Sequence, residues 1–156
     1  MNFRLAKLFR IVVGAGMLVA SPPPLMAGGD SEDGGSNDLT GTTWHWRRTL
    51  MNDDTSFAPD DPSRYTLTFH SDGTVSAGVD CNQMGGAYER NGASIAIELT
   101  HGTRAMCAPD SLDMEFQREI GEVRQMVFTG GALHFDLAGH RGTMSFEVVL
   151  ENRTGN

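Results

Sequence analysis

The chain has 156 residues, of which 12 are basic and 20 are acidic, and its formal net charge is −8 at pH 7. This acidic balance argues against binding to nucleic acid or to anionic membrane surfaces, because both attract positively charged proteins. The length corresponds to one ordinary globular domain.

Residues 1–27 have the features of a secretory signal peptide. Three basic residues precede an apolar run over residues 11–20, and Ala27 is a small residue suited to cleavage. The run is shorter than the roughly 20 apolar residues that a membrane-spanning helix needs. We therefore expect cleavage near Ala27 and an exported protein, periplasmic or secreted, whose mature chain has no integral membrane span. A retained N-terminal anchor or a buried helix is the alternative.

Residues 28–38 contain no apolar side chain, so this segment is predicted to be a disordered spacer. The folded domain is then expected over residues 39–150, with a short tail at residues 151–156. Residues 1–27 hold three basic groups and no acidic one, so their removal brings the formal charge to −11. Such a charge suits a soluble exported protein.

Apolar and polar residues alternate through the first part of the domain, which predicts short strands. The segment Thr42–Arg48 alternates around its two tryptophans, and Tyr65–Phe69 alternates in the same way. Asp72-Gly73 predicts a hairpin turn that leads into a return strand over Val75–Val79. Between the first two strands, the Asp- and Pro-rich segment Asn52–Ser63 predicts a loop.

Further hairpins follow in the middle of the chain. We expect Cys81–Gly86 to be a tight connection, with its two glycines in backbone conformations closed to other residues. Strands are predicted over Ala87–Arg90 and Ser94–Leu99, joined by a turn at Asn91-Gly92. The following segment, Thr100–Ala108, has no regular pattern.

One helix is predicted after Pro109, with Asp110 or Ser111 as its N-cap. Its apolar residues recur at helical spacing. They are Leu112, Phe116, Ile120 and Val123. Beyond residue 124 the alternation of strands returns, around residues 126–128, 133–137 and 144–150. The fold class is therefore mainly β (α+β): a strongly curved antiparallel sheet or small cone-like barrel with one helix packed on it.

The two cysteines, Cys81 and Cys107, are predicted to form a disulfide bond, because exported small domains usually pair their cysteines. Two buried free thiols are one alternative. A zinc site made by both cysteines and His101 is another, weaker one.

The residues around Cys81 resemble a known family. The sequence reads Gly78-x-x-Cys81-Asn82-x-x-x-Gly86-x-Tyr88, and Thr103-x-x-x-Cys107 follows. This pattern is similar to that of META/HslJ-like domains, which are small bacterial envelope and heat-shock proteins, and the resemblance extends over about Leu39 to Leu150. It implies a cone-like curved sheet crossed by a helix and a role in the envelope or in stress, without an established enzyme activity. Many members carry a lipid-attachment cysteine, and this chain has none near the predicted cleavage point.

The sequence contains no serine-hydrolase elbow, no phosphate-binding glycine loop and no His-Glu-x-x-His motif. We therefore predict that the protein is not an enzyme and uses no cofactor or metal. A polar cluster near the disulfide is predicted from Asp80, Asn82, Tyr88 and Arg104. These side chains would form either a recognition surface or, as we favour, hydrogen bonds that fix the loops.

Two functional hypotheses result from these observations. The first is an exported, non-enzymatic, envelope- or stress-related module that acts as a monomer through contacts with another protein. The alternative is a binder of a small apolar ligand or lipid in the open end of the curved sheet.

Overall fold

A computed structural model describes residues 38–148 of the chain. The predicted signal peptide, most of the predicted spacer and the C-terminal tail lie outside the described residues. Within this part of the chain there are nine strands and one α-helix. In chain order these are β1 (Thr43–Met51), β2 (Ser56–Phe57), β3 (Tyr65–Phe69), β4 (Thr74–Val79), β5 (Asn82–Asn91), β6 (Ser94–Gly102), α1 (Asp113–Gly121), β7 (Val123–Thr129), β8 (Ala132–Leu137) and β9 (Gly142–Val148).

The strands form one antiparallel sheet that curves into a ring. Neighbours in the sheet follow the order β2-β1-β3-β4-β5-β6-β7-β8-β9, and β1 also pairs with β9, from Trp44 opposite Val148 to Met51 opposite Gly142. The ring is not a regular barrel, because β6 and β7 share only the pair Ser94–Gln125. The predicted fold class, a strongly curved antiparallel sheet with one helix, is confirmed.

Helix α1 lies where the strand pairing is weakest. It packs against β6 and β4, and it leads directly into β7. Its Phe116 enters the ring, with ring centroids 5.3 Å from Trp46 and 5.6 Å from Tyr65. The predicted apolar stripe therefore does face the core, where Phe116 and Ile120 are fully buried.

Aromatic side chains fill the interior of the ring. The largest fully buried ones come from β1, β3, β8, β9 and α1. They are Trp44, Trp46, Phe69, Phe116, Phe135 and Phe146. Both indole N–H groups are satisfied: that of Trp44 donates to the Leu39 carbonyl at 3.3 Å and that of Trp46 to the Thr49 hydroxyl at 3.2 Å. Packing between such rings stabilises a core beyond the effect of the area that the rings bury.

The start of the helix differs from the prediction. Leu112, rather than Asp110 or Ser111, occupies the N-cap position, and it makes no side-chain cap. Ser111 still contributes, because its Oγ accepts the N–H of Asp113 at 3.2 Å. The N–H of Leu112 donates to the hydroxyl of Tyr65 on β3 at 2.9 Å. A distant tyrosine thus stabilises the start of the helix, and no local sequence pattern reveals it.

The segment after β4 also differs from the prediction. Only Asp80 and Cys81 form the turn, since Val79 pairs with Asn82, and β5 runs without interruption from Asn82 to Asn91. Asp80 adopts a positive φ of 56°.

The two glycines of β5 do not adopt a positive φ. They are needed because β5 and β6 approach each other closely. A Cβ on Gly86 would lie 1.7 Å from the carbonyl oxygen of Glu98 on β6. The glycines therefore allow β5 and β6 to come together at the irregularity in register between Gly85 and Gly86.

Candidate functional site

The candidate site is the loop of residues 103–112, which connects β6 to α1. Most of its residues are exposed, and none is fully buried. Cys107 lies in this loop and forms a disulfide with Cys81 in the β4–β5 turn, with Sγ–Sγ 2.05 Å and Cα–Cα 5.6 Å. The predicted pairing is therefore present in the structure. It joins the loop covalently to the sheet.

Asn82, the residue after Cys81, binds the same loop with its side chain. Its Oδ1 accepts the N–H of Ala105 at 2.7 Å, and its Nδ2 donates to the carbonyl oxygen of Ala105 at 3.0 Å. The Asn82 side chain thus bonds both backbone groups of Ala105, as a residue of a neighbouring β-strand does. Only 4% of Asn82 is exposed, so water competes little for these hydrogen bonds.

Thr103 fixes the first residue of the loop. Its N–H donates to the carbonyl oxygen of Gln83 at 3.0 Å, and its hydroxyl oxygen accepts the N–H of Gln83 at 3.0 Å. The same hydroxyl donates to Oδ1 of Asn82 at 3.1 Å. At the far end of the loop, Tyr65 holds Leu112, as described above. The loop is therefore attached at its beginning, middle and end.

The tip of this anchored loop projects into solvent. Met106 lies between the residue that Asn82 binds and the residue in the disulfide, and its side chain is 100% exposed. Arg104, on the other side of Ala105, is exposed as well. The arrangement presents one large apolar side chain and one cation on a backbone that is held on both sides.

The side chain of Asp80, the residue before Cys81, is buried. Its carboxylate is 2% exposed and forms an ion pair with Arg64, whose side chain is 49% exposed. The N–H of Asp80 also donates to the Arg64 carbonyl at 2.9 Å. Arg64 was missed in the sequence, because nothing links it to Asp80 before β3 and β4 are paired.

The Asp80–Arg64 pair lines a cavity of about 160 Å³ between residues 58–65 and the end of the loop. Asp61 also lines this cavity. Hydrogen bonds from the hydroxyl and the backbone N–H of Ser63 hold the pKa of the Asp61 carboxyl below its usual range. The Asp61 carboxyl therefore keeps its negative charge to a lower pH than a free aspartate does.

The four residues of the predicted polar cluster are only partly brought together. Asp80 and Asn82 flank Cys81, and Arg104 lies next to Ala105. Tyr88 is six residues further along β5, roughly 20 Å away, where its hydroxyl donates to the carbonyl oxygen of His70 at 2.9 Å and its ring packs on Phe69. Tyr88 therefore stabilises the other end of the β4–β5 hairpin.

His101 does not join a metal site. Its ring lies over Gly85, where a Cβ would be 2.5 Å from Nε2, and its Nδ1 is 3.1 Å from the Thr100 hydroxyl. Both cysteines are in the disulfide, so the alternative of a zinc site with His101 lacks its thiolate ligands. Among residues 38–148, no three His, Cys, Asp or Glu side chains are grouped to hold a metal ion.

In the described range, no helix has the length and apolar character required to cross a membrane.

Comparisons with known proteins give a family and a fold. A family model for the META domain matches residues 37–148. An NMR structure of a protein from Burkholderia xenovorans is 20% identical, with a TM-score of 0.61 over 72% of this chain and 84% of its own. A crystal structure of a DUF4847 family protein from Bacteroides vulgatus is 14% identical, with a TM-score of 0.56 over 70% of this chain and 93% of its own. At these identities the structures show the fold alone. No curated protein matches the chain.

Proposed function

We propose that this chain, which belongs to the META domain family, is an exported, non-enzymatic module. It binds a partner protein through the loop of residues 103–112. The observation that carries this proposal is the complete exposure of Met106 on a loop that a disulfide and Asn82 hold in place. The partner is a protein of the cell envelope, and the role is stress-related, as the family resemblance implies.

The exposed side chain of Met106 contributes little to the stability of the fold, but it would contribute binding free energy to a contact with a partner protein. Burying a side chain of this size yields about 1.5–3 kcal/mol. A flexible thioether adapts to irregular partner surfaces. A loop that is already ordered also avoids the free-energy cost of immobilising it on binding. These properties favour contact with a partner over a purely structural role for Met106.

The polar groups around the disulfide support a contact role over a catalytic one. Asn82 uses both ends of its amide on the loop, and the Asp80 carboxylate is paired with Arg64. A general base or nucleophile needs access to a substrate, whereas the Asn82 amide is engaged with Ala105 and the Asp80 carboxylate with Arg64. The module therefore acts by binding.

The ligand-binding alternative has no specific observation in its favour. The interior of the ring, where an apolar molecule would lie, is occupied by the six buried aromatic side chains described above. An apolar ligand would have to displace them at the cost of core packing.

Export is supported by the sequence of residues 1–27 and by the disulfide, which persists in oxidising compartments. In the host, the protein recovered from the envelope or secreted fraction should lack these residues by mass. Recovery of the intact 156-residue chain from the cytoplasm would overturn this part of the proposal.

The binding role is tested by affinity capture from the host envelope with three matched proteins: the native sequence, Met106→Ala and Val127→Ala. Val127 is a suitable control because it is 50% exposed. It lies on β7, which pairs with β6 at Ser94. From Ser94, β6 runs roughly 26 Å before the loop begins. We expect the native sequence and Val127→Ala to retain the same partner protein in similar amounts. Met106→Ala should retain at least tenfold less of it, a loss that corresponds to about one well-buried contact. Equal retention by all three proteins would contradict the proposal.

A further inference from the structure

The two sulfur atoms of the disulfide have different surroundings. Cys81, in the β4–β5 turn, is exposed, whereas Cys107 is only half-exposed. The side-chain nitrogen of Asn82 lies 3.3 Å from Sγ of Cys107 and 3.6 Å from Sγ of Cys81. Cys81 is therefore the more exposed cysteine, and Cys107 has the closer N–H donor.

The Asn82 donor does not depend on the disulfide for its position. Its amide is held by both backbone groups of Ala105 and by the Thr103 hydroxyl. Thr103 is itself bonded to the backbone of Gln83. If the S–S bond opens, these contacts keep Cys107 near Cys81 and keep the N–H directed at the sulfur atoms.

From this asymmetry we propose that the Cys81–Cys107 bond is a site of thiol–disulfide exchange in the folded protein, in which an external dithiol attacks Cys81 and Cys107 leaves towards the Asn82 amide. This activity goes beyond the proposed role of the loop in binding a partner. The co-reactant is a dithiol such as the active site of a thiol oxidoreductase. Exchange rates depend on access to the attacked sulfur and on the stability of the leaving thiolate. The greater exposure of Cys81 favours attack there, and the closer Asn82 N–H favours Cys107 as the leaving group.

The exchange is balanced in two steps. A thiolate of the external dithiol bonds to Sγ of Cys81, the Cys81–Cys107 bond breaks, and its electron pair remains on Sγ of Cys107 as a thiolate that accepts the Asn82 N–H. The second thiol of the reagent, once deprotonated, then attacks the first sulfur of the reagent, which is bonded to Cys81 in the mixed disulfide. This step closes a disulfide within the reagent and releases Cys81 as a thiolate. Both protein thiolates take up protons from solvent, so two electrons and two protons pass from the dithiol to the protein.

The site of attack can be mapped on the native sequence. Reduced glutathione serves as the probe, because with one thiol it leaves the first mixed disulfide to be trapped by acid and located by peptide mass spectrometry. We expect glutathione on Cys81. Glutathione mainly on Cys107 would overturn the proposal.

The conformation that reacts is tested with urea below the unfolding transition. If the folded protein reacts, the rate of reduction by dithiothreitol should change little with urea. A rate that rises with the full denaturant dependence of global unfolding would show that only the unfolded chain reacts, and it would also overturn the proposal.

The role of Asn82 is tested with Asn82→Asp, which keeps an acceptor for the Ala105 N–H but replaces the donor with a negative charge. The matched control is Asn91→Asp, which adds the same charge at the exposed last residue of β5, nine positions away. We expect reduction by dithiothreitol to slow about tenfold or more in Asn82→Asp and to stay within about twofold in Asn91→Asp, whose charge is screened by distance. Equal rates in the two variants would remove the role given to Asn82. Should Asn82→Asp fail to fold, the mapping and the urea dependence of the native sequence still decide.

Discussion

The interior of the ring and the loop of residues 103–112 are held in place by different means. In the interior, six aromatic side chains from five elements pack on one another, and each is almost fully buried. In the loop, hardly any apolar surface is buried, and the backbone is fixed by one covalent bond, one asparagine and a few hydrogen bonds. The comparison indicates that the stability of the fold and the presentation of the loop can be changed separately.

The largest effect is expected from the core. Phe116→Ala removes a ring that contacts Trp46, Tyr65 and Phe146, and we expect the free energy of unfolding to fall by about 3–5 kcal/mol. Met114→Ala on the same helix is the control, since Met114 is 74% exposed and surface changes usually stay within about 0.5 kcal/mol. Urea unfolding followed by tryptophan fluorescence gives both values. Similar losses in the two variants would show that the helix does not insert Phe116 as described.

An effect in the lower part of that range is expected from the disulfide. Cys107→Ser opens a link between residues separated by 26 positions, and the chain-entropy relation gives a loss of about 3.5 kcal/mol through the unfolded state. Because the core does not depend on the link, the tryptophan bands in the near-ultraviolet circular dichroism of the folded variant should match those of the native sequence. Changed tryptophan bands would mean that the disulfide also orders the core, and the two regions would then not be separable.

Much of the core could be predicted from the sequence, because the period of the apolar residues changes where the structure changes. The alternation around Trp44 and Trp46 and the helical spacing of Phe116 and Ile120 both point to buried faces, and both faces are buried. The family pattern around Cys81 also led to the correct family, whose model covers residues 37–148.

The site was less predictable, because its contacts join residues that are distant in the chain. Asn82 was expected to make hydrogen bonds that fix the loops, but its partner Ala105, 23 residues later, could not be predicted. Tyr65 holds the start of a helix 47 residues away, and Arg64 finds Asp80 only after two strands pair. Periodicity reports which side of an element is buried, and it carries no information about which polar group meets which.

The most direct test of the anchored loop is amide hydrogen exchange of the oxidised protein, read residue by residue. The N–H groups of Thr103 and Ala105 donate to Gln83 and Asn82, so both should exchange much more slowly than free amides, although the loop is at the surface. Asn82→Ala should remove the protection of Ala105 and leave the amides of β3 and β8 protected. Rapid exchange of Ala105 in the native sequence would contradict the account, because Met106 would then lie on a loop that is not held in place.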